Sequence, residues 1–399
     1  MRGIWSGLMS LNSEPVNLIP VYAGGAEAIW APGDVGDGDL SELGLYRPGG
    51  EELADGEIRV SILGSGQPWV TRSQAASSVL MEVGNPERDV FVFDVGAGSL
   101  TNFSALKVPV TSLTKVFFTH LHIDHVGDFI SLMGGYARSG RLDPVEVWGG
   151  SSPDPQLGTA AFVDSITKAL SWDVASVTGS LPTSGLQTSV TEVPYDRSEV
   201  IYDRNGVQVT SFPVIHALEG AVGYRLDYAG RSVVFSGDTV PARTVVEASE
   251  GCDLLIHETF LPPAIFSELM RFPLETAELV VNTAHTSALA AGVVFDMVQP
   301  RMAAMWHCHV VDGYIEPVFE DVRRAYSGPA TLCQDLTVFN VTADSITARQ
   351  TEVDWAAGAV IGPSETARRV DGAPPAAPAW WDNEKIDWRA SLDAETAHG

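Results

Sequence analysis

The chain has 399 residues, 45% hydrophobic and 19% charged, enough apolar material for a large folded core, which excludes a disordered chain. Acidic residues outnumber basic ones 51 to 24, and the resulting net charge of −27 argues against nucleic acid as the main substrate, because phosphate backbones are gripped by Lys and Arg. Cys252, Cys308 and Cys333 are too few and too scattered for a disulfide framework, and no signal-peptide pattern or membrane-length apolar run is present, so a soluble, cytoplasmic protein is expected.

Residues 1–55, rich in Gly, Pro and acid, read as an irregular N-terminal extension. Strands are predicted at 57–64 (EIRVSILG), 77–83 (SSVLMEV), 89–96 (DVFVFDVG) and 115–119 (KVFFT). A helix over GDFISLMGGYA, a strand at VEVWG and a helix over 159–174 follow. The texture then repeats, with strands at 206–216, 222–228 and 231–238, the last two joined by an Ala-Gly turn. PARTVVEAS reads as a helix with Pro in its first turn, DLLIHET as a strand, 285–298 as a helix, RMAAMWH as a strand and 313–326 as the last long helix. Residues 351–399, rich in Pro, Ala and Trp, read as a tail that packs on the body or on a partner subunit. Strands alternating with helices, twice over, suit an α/β, four-layer αββα sandwich spanning 56–350, with its site along one sheet edge.

The run T-H-L-H-I-D-H (119–125) places four potential metal ligands within six residues. Imidazole and carboxylate suit zinc, and also iron or manganese. Extended backbone puts His120 and His122 on one side; Asp124 and His125, after the chain turns, can face a second ion. Three more polar residues end apolar strands, where loops gather around an α/β site: His216, Asp238 and His307. Together with the loop they make up a two-ion ligand set.

In this order the H-x-H-x-D-H loop, a further His, S-G-D-T and a late His resemble the metallo-β-lactamase superfamily, most of all its ribonuclease Z and arylsulfatase-like branch. GSGQPWVTR, FDVGAG around Asp94, HETF (257–260) and HTSALAAG (285–292) are similar to further motifs of that branch, over roughly residues 57–345. The resemblance implies one zinc on His120, His122 and His216, a second on Asp124, His125 and His307, Asp238 bridging the two, and a shared hydroxide as nucleophile. Asp94 would orient ligand imidazoles. His285, held by Glu258, would protonate the leaving group, and these two count with Asp124 as the catalytic residues. His257 is expected to face away, His307 is preferred over His309, and His398 falls in the tail.

The expected function is a zinc-dependent hydrolase of a small, apolar or aromatic ester-like substrate: carboxylic ester, lactone, sulfate ester or phosphodiester. The acidic balance, a 150–200 segment with almost no positive charge, and Phe260, Phe266, Met270, Phe272 and Trp306 near the site favour this reading. The alternatives are a ribonuclease Z-like phosphodiesterase acting on RNA, an iron oxidoreductase of the same fold, and a non-catalytic metal-binding protein. Relatives of the branch are commonly dimers, and the aromatic tail at 355–388 suits an exchanged arm, so a homodimer with a small-molecule substrate and no membrane association is expected.

Overall fold

The computed structural model describes residues 44–69, 71–311, 313–354, 356–361 and 372–385. Most of the expected N-terminal extension, His398 and much of the tail lie outside them. Among the described residues two sheets stand face to face. The first has nine strands: β1 (Leu45–Tyr46), β2 (Ile58–Gly64), β3 (Ser78–Val83), β4 (Val90–Phe93), β5 (Lys115–Phe118), β6 (Val145–Gly150), β7 (Thr188–Val193), β15 (Thr337–Val341) and β16 (Ile346–Thr351), in the order β1-β16-β15-β2-β3-β4-β5-β6-β7. The second, ordered β14-β13-β12-β11-β10-β9-β8, uses β8 (Glu199–Arg204), β9 (Val207–Pro213), β10 (Val222–Tyr228), β11 (Arg231–Phe235), β12 (Leu254–Glu258), β13 (Met302–Trp306) and β14 (Ala330–Leu332).

The central strands are apolar on both faces because both faces are covered. Along β4 and β5, Phe91, Phe93 and Phe117 enter the layer between the sheets, where Phe117 stacks on Trp148 with ring centroids 4.6 Å apart. Their neighbours Val90, Val92, Val116 and Phe118 face outward, under the helices. Those helices are α1 (Ser99–Ala105), α3 (Phe129–Arg138) and α4 (Thr159–Ala169), with the short α2 (Ile123–Val126) at the end of β5. In α3 the buried Phe129, Leu132, Met133, Tyr136 and Ala137 recur at helical spacing and form one apolar stripe. On the far side of the second sheet lie α6 (Arg243–Ala248), α7 (Pro263–Met270), α8 (Leu274–Ala284), α9 (Ala288–Val298) and α10 (Ile315–Arg323) over a third apolar layer. The four-layer αββα sandwich follows from this partition.

Several elements differ from expectation. The helix expected over 159–174 breaks at Leu170, and α5 (Ser171–Val177) continues it. The apolar segment 260–275 forms α7 and leads into α8; Pro263 occupies the first turn of α7, and Arg271 ends that helix in the left-handed region at φ 56°. α9 begins at Ala288, not at His285, because the Ser287 side chain accepts a hydrogen bond from Ala290 N and caps the helix there. β8, unassigned from sequence, pairs with β9 through Asn205-Gly206, both at positive φ, the turn that hairpin twist favours. The tail touches the body where Val360 O accepts from Val110 N, while Trp380 and Trp381 in α11 (Ala379–Glu384) remain exposed. No helix among the described residues is long and apolar enough to cross a membrane.

Candidate metal centre

The site sits where β5, β9, β11 and β13 end. Beyond Phe118 the chain bends at Thr119 and runs as an irregular loop to His122, which is extended and opens α2, so Asp124 and His125 fall on its single turn. Val222 N donates to Thr119 O at 2.9 Å and ties this loop to the second sheet. Gly237, at φ 60°, lies so close that an added Cβ would stand 2.7 Å from Thr119 Cβ; only glycine lets Asp238 approach the histidine loop.

All seven expected ligands converge. His122 Nδ1 lies 2.9 Å from His120 Nε2 and 3.1 Å from His216 Nε2. Asp238 Oδ2 lies 4.0 Å from His120 Nε2 and 3.9 Å from His216 Nε2. On its other side the same Oδ2 is 3.5 Å from His307 Nε2, and Oδ1 is 3.4 Å from His125 Nε2. Asp124 Oδ2 completes the second group, 3.3 Å from His307 Nε2 and 3.6 Å from His125 Nε2. Asp238 therefore stands between two clusters of donors. Burial alone would raise its pKa, but His307 and His125 hold the carboxylate well below its ordinary range.

Three of the expected ligands, His125, His216 and His307, are held from behind. Asp94 Oδ2 accepts from His125 Nδ1 at 2.7 Å and from Thr119 Oγ1, and its Oδ1 accepts from Thr119 N, which leaves His125 Nε2 facing the cluster. Ala284 O accepts from His216 Nδ1 at 2.6 Å with the same effect. His307 is the strained member. Its φ of 58° is left-handed, a conformation costing a non-glycine residue about 1–2 kcal/mol. Gln67 Nε2 donates to His307 O, Gln74 Nε2 donates to Cys308 O, and Val310 N donates back to Gln74 Oε1, each at 2.9 Å. The loop bearing both glutamines is anchored by Asp335, which accepts from Ser65 N, Ser65 Oγ and Ala75 N. Sequence reasoning missed Gln67, Gln74, Thr119 and Asp335. Gln67 falls inside the GSGQPWVTR loop, but its partner is 240 residues away.

Glu258 and His285 also meet: Glu258 Oε2 is 2.9 Å from His285 Nδ1, and Oε1 accepts from Thr239 N. Burial and the nearby Asp238 push the Glu258 carboxyl well above its usual range. Phe260 stacks on His285, ring centroids 4.3 Å apart. His257 faces the opposite way, with Nδ1 on Glu258 O and its ring near Phe295. His309 packs against Trp69 outside the donor clusters. Of the apolar residues expected near the site, Phe260, Phe266, Met270 and Phe272 belong to the layer under α7, and Trp306 to the layer between the sheets.

The residues fit a pair of divalent cations on the structure's own terms. His125 Nε2 and Asp238 Oδ1 are buried with no hydrogen-bond partner, which is costly unless a cation takes their lone pairs. The imidazole nitrogens of His120, His122 and His216 converge within 2.9 and 3.1 Å of one another, a clustering of donors that suits a shared cation.

A family model described as the beta-lactamase superfamily domain matches residues 91–308. Ribonuclease Z of Mycobacterium avium is 32% identical over 205 residues, 50% of this chain and 69% of that protein. The chain belongs to the metallo-β-lactamase superfamily, on its ribonuclease Z branch. A second relative, ribonuclease Z of Mycobacterium marinum, is 29% identical over 202 residues, 50% of this chain and 70% of its own length. Among solved structures, the metallo-β-lactamase fold protein YhfI from Bacillus subtilis superposes with a TM-score of 0.54 at 17% identity, covering 72% of this chain and all of its own. The short form of human tRNase Z gives a TM-score of 0.51 at 19% identity, with 70% and 98% covered; both likenesses speak for the fold.

Membership of this superfamily makes the chain a metal-dependent hydrolase. It also corrects one expectation. A small-molecule substrate, with nucleic acid disfavoured, was inferred from net charge, but the relatives are named as ribonucleases. The physical reason is that net charge is summed over the whole surface, whereas binding responds to the field within roughly a Debye length of the site.

Proposed function

We propose that this protein is a ribonuclease Z-like phosphodiesterase that hydrolyses RNA with two zinc ions. The observation that carries the reading is the match to ribonuclease Z over 69% of that relative's length, by a chain whose seven donors gather around Asp238. His120, His122 and His216 would hold one ion, Asp124, His125 and His307 the other, and Asp238 both. Bound there, the ions supply Lewis acidity, bringing water's pKa toward neutrality and offsetting charge on a phosphate.

The chain's own residues do the rest. Asp94 and the Ala284 carbonyl fix which imidazole nitrogen each of His125 and His216 presents. Glu258 holds His285 by Nδ1, so Nε2 is the atom that gives a proton to the departing ribose oxygen. Phe260, flat against the same ring, limits its rotation and keeps water from that face. Three buried free cysteines suit a cytoplasmic location.

The test is zinc content followed by cleavage of a short single-stranded RNA. About two zinc ions per chain are expected. RNA hydrolysis should be lost in His122→Ala and in Asp238→Ala. A chain that binds both ions yet leaves RNA intact rejects the proposal.

A further inference from the structure

Beside the His120, His122 and His216 cluster runs a groove of about 420 Å³. Its walls come from the β6 to α4 connection, carrying Gln156 and Leu157, from Phe162 on α4 itself, and from the β9 to β10 connection, carrying Leu218 and Glu219. The two connections touch at the floor, where an added Cβ on Gly150 would stand 1.8 Å from Gly220 O; a glycine here is what lets the groove close underneath. Among the described residues no lysine or arginine lines it, and apart from the histidines the one ionisable group there is Glu219. Leu157 and Leu218 are 57% and 70% exposed, large apolar side chains facing outward beside a cluster of metal donors.

Away from the histidines this chemistry disfavours a phosphate: an anion there would meet the Glu219 carboxylate and aliphatic walls, with no lysine or arginine among the described residues to replace its hydration. It suits a neutral, flat heterocycle, which can lie against Leu157, Leu218 and the Phe162 ring while Gln156 meets its polar edge. The volume lies within the range of about 300–1,000 Å³ usual for small-ligand sites. We infer that the groove is a base pocket that takes one unpaired nucleobase of the RNA beside the scissile bond. This rests on the ribonuclease reading above.

The geometry also selects which base. His285, the proton donor to the leaving oxygen, lies across His216 from the groove, ring centroids 5.1 Å apart, and does not line it. The departing nucleoside lies toward His285. The nucleoside that keeps the phosphate lies toward His120, His122 and the groove, and its base is the one received.

The experiment uses the zinc-loaded full chain and three short RNAs: intact, abasic at the nucleotide that keeps the phosphate, and abasic at the nucleotide that departs. KM should rise about ten-fold for the first abasic RNA and change by less than about two-fold for the second, with kcat held within about two-fold. In Leu157→Asp, an exposed position whose folding is checked by Tm, intact RNA and the first abasic RNA should have KM values within about two-fold of each other. Equal KM for intact and abasic RNAs in the unaltered chain, or a larger effect on the departing side, overturns the base pocket and leaves the ribonuclease reading standing. If no RNA is cleaved while both zinc ions are bound, the ribonuclease reading falls, and the base pocket with it.

Discussion

Gln74→Leu tests the idea that His307 is kept in its left-handed backbone conformation by a clamp some 230 residues away in sequence. The substitution keeps the bulk and removes three hydrogen bonds: to Cys308 O at 2.9 Å, to Ser65 Oγ at 3.0 Å, and from Val310 N at 2.9 Å. At about 1 kcal/mol net each, the loss of global stability is about 3 kcal/mol, read as a lower Tm. The more specific consequence concerns the ions. Released from the clamp, residues 307–310 relax, and the roughly 1–2 kcal/mol of strain at His307 must then be supplied when an ion binds. That weakens the ion sharing His307 about 5–30-fold. A zinc titration against a chromogenic chelator reads both equivalents separately. The equivalent held with Asp124, His125 and His307 should weaken by that factor, and the one held with His120, His122 and His216 should stay within about three-fold. A lower Tm with both zinc equivalents unchanged would make Gln74 an ordinary structural residue and refute the reasoning.

Further outcomes follow from the same geometry. Asp238→Asn leaves the acidic oxygen between the two donor groups missing, so zinc content should drop from about two per chain to one or fewer; two tightly held ions in the variant would exclude a bridging role. His285→Ala should slow RNA cleavage by about 10²–10⁴-fold and slow an activated nitrophenyl phosphodiester far less, since a good leaving group needs no proton; equal losses on both substrates would remove His285 as the acid. Burial would raise the Asp89 pKa, but Lys115, Asn205 and Asn85 more than offset that and lower it below its ordinary 3.8. Its contribution to stability is therefore complete above the unfolded-state pKa and disappears as pH falls through the lower folded-state value. Asp89→Asn should flatten the acid limb of a Tm-against-pH curve, and an unchanged limb would count against it.

The layers of the fold and the seven donors were legible from sequence for the same reason: both depend on short-range patterns. A strand buried on both faces reads as a continuous apolar run whatever it packs against, as 115–119 did. Ligands appended to the ends of such strands gather at one edge once the sheet forms. What escaped depends on distant partners or local stereochemistry. Ser287 could be seen as a residue, but whether it or an earlier residue caps α9 is settled by the backbone. Gln67 and Gln74 are unremarkable polar residues until β13 is brought beside them, and the left-handed turn at His307 carries little signature, since histidine visits that region more often than most side chains but far less often than glycine.

The acidic balance misled for a related reason. A count of 51 acids against 24 bases describes the polypeptide alone. At the site, Asp124, Asp238 and Glu258 crowd together with six histidines, and without bound ions the carboxylates of such an arrangement would repel a phosphate. Cations suit the same arrangement, because His125 Nε2 and Asp238 Oδ1 are buried 3.4 Å apart with no well-aligned hydrogen bond. Two divalent cations would reverse the local field, at distances too short for salt to screen, while most of the surface acids lie beyond a Debye length of about 8 Å at physiological ionic strength. The positive charge that attracts an anionic substrate is then supplied by the bound ions rather than by Lys or Arg. Apolar walls beside the ions can serve the bases of the same substrate, so a net negative chain and an RNA substrate are physically compatible.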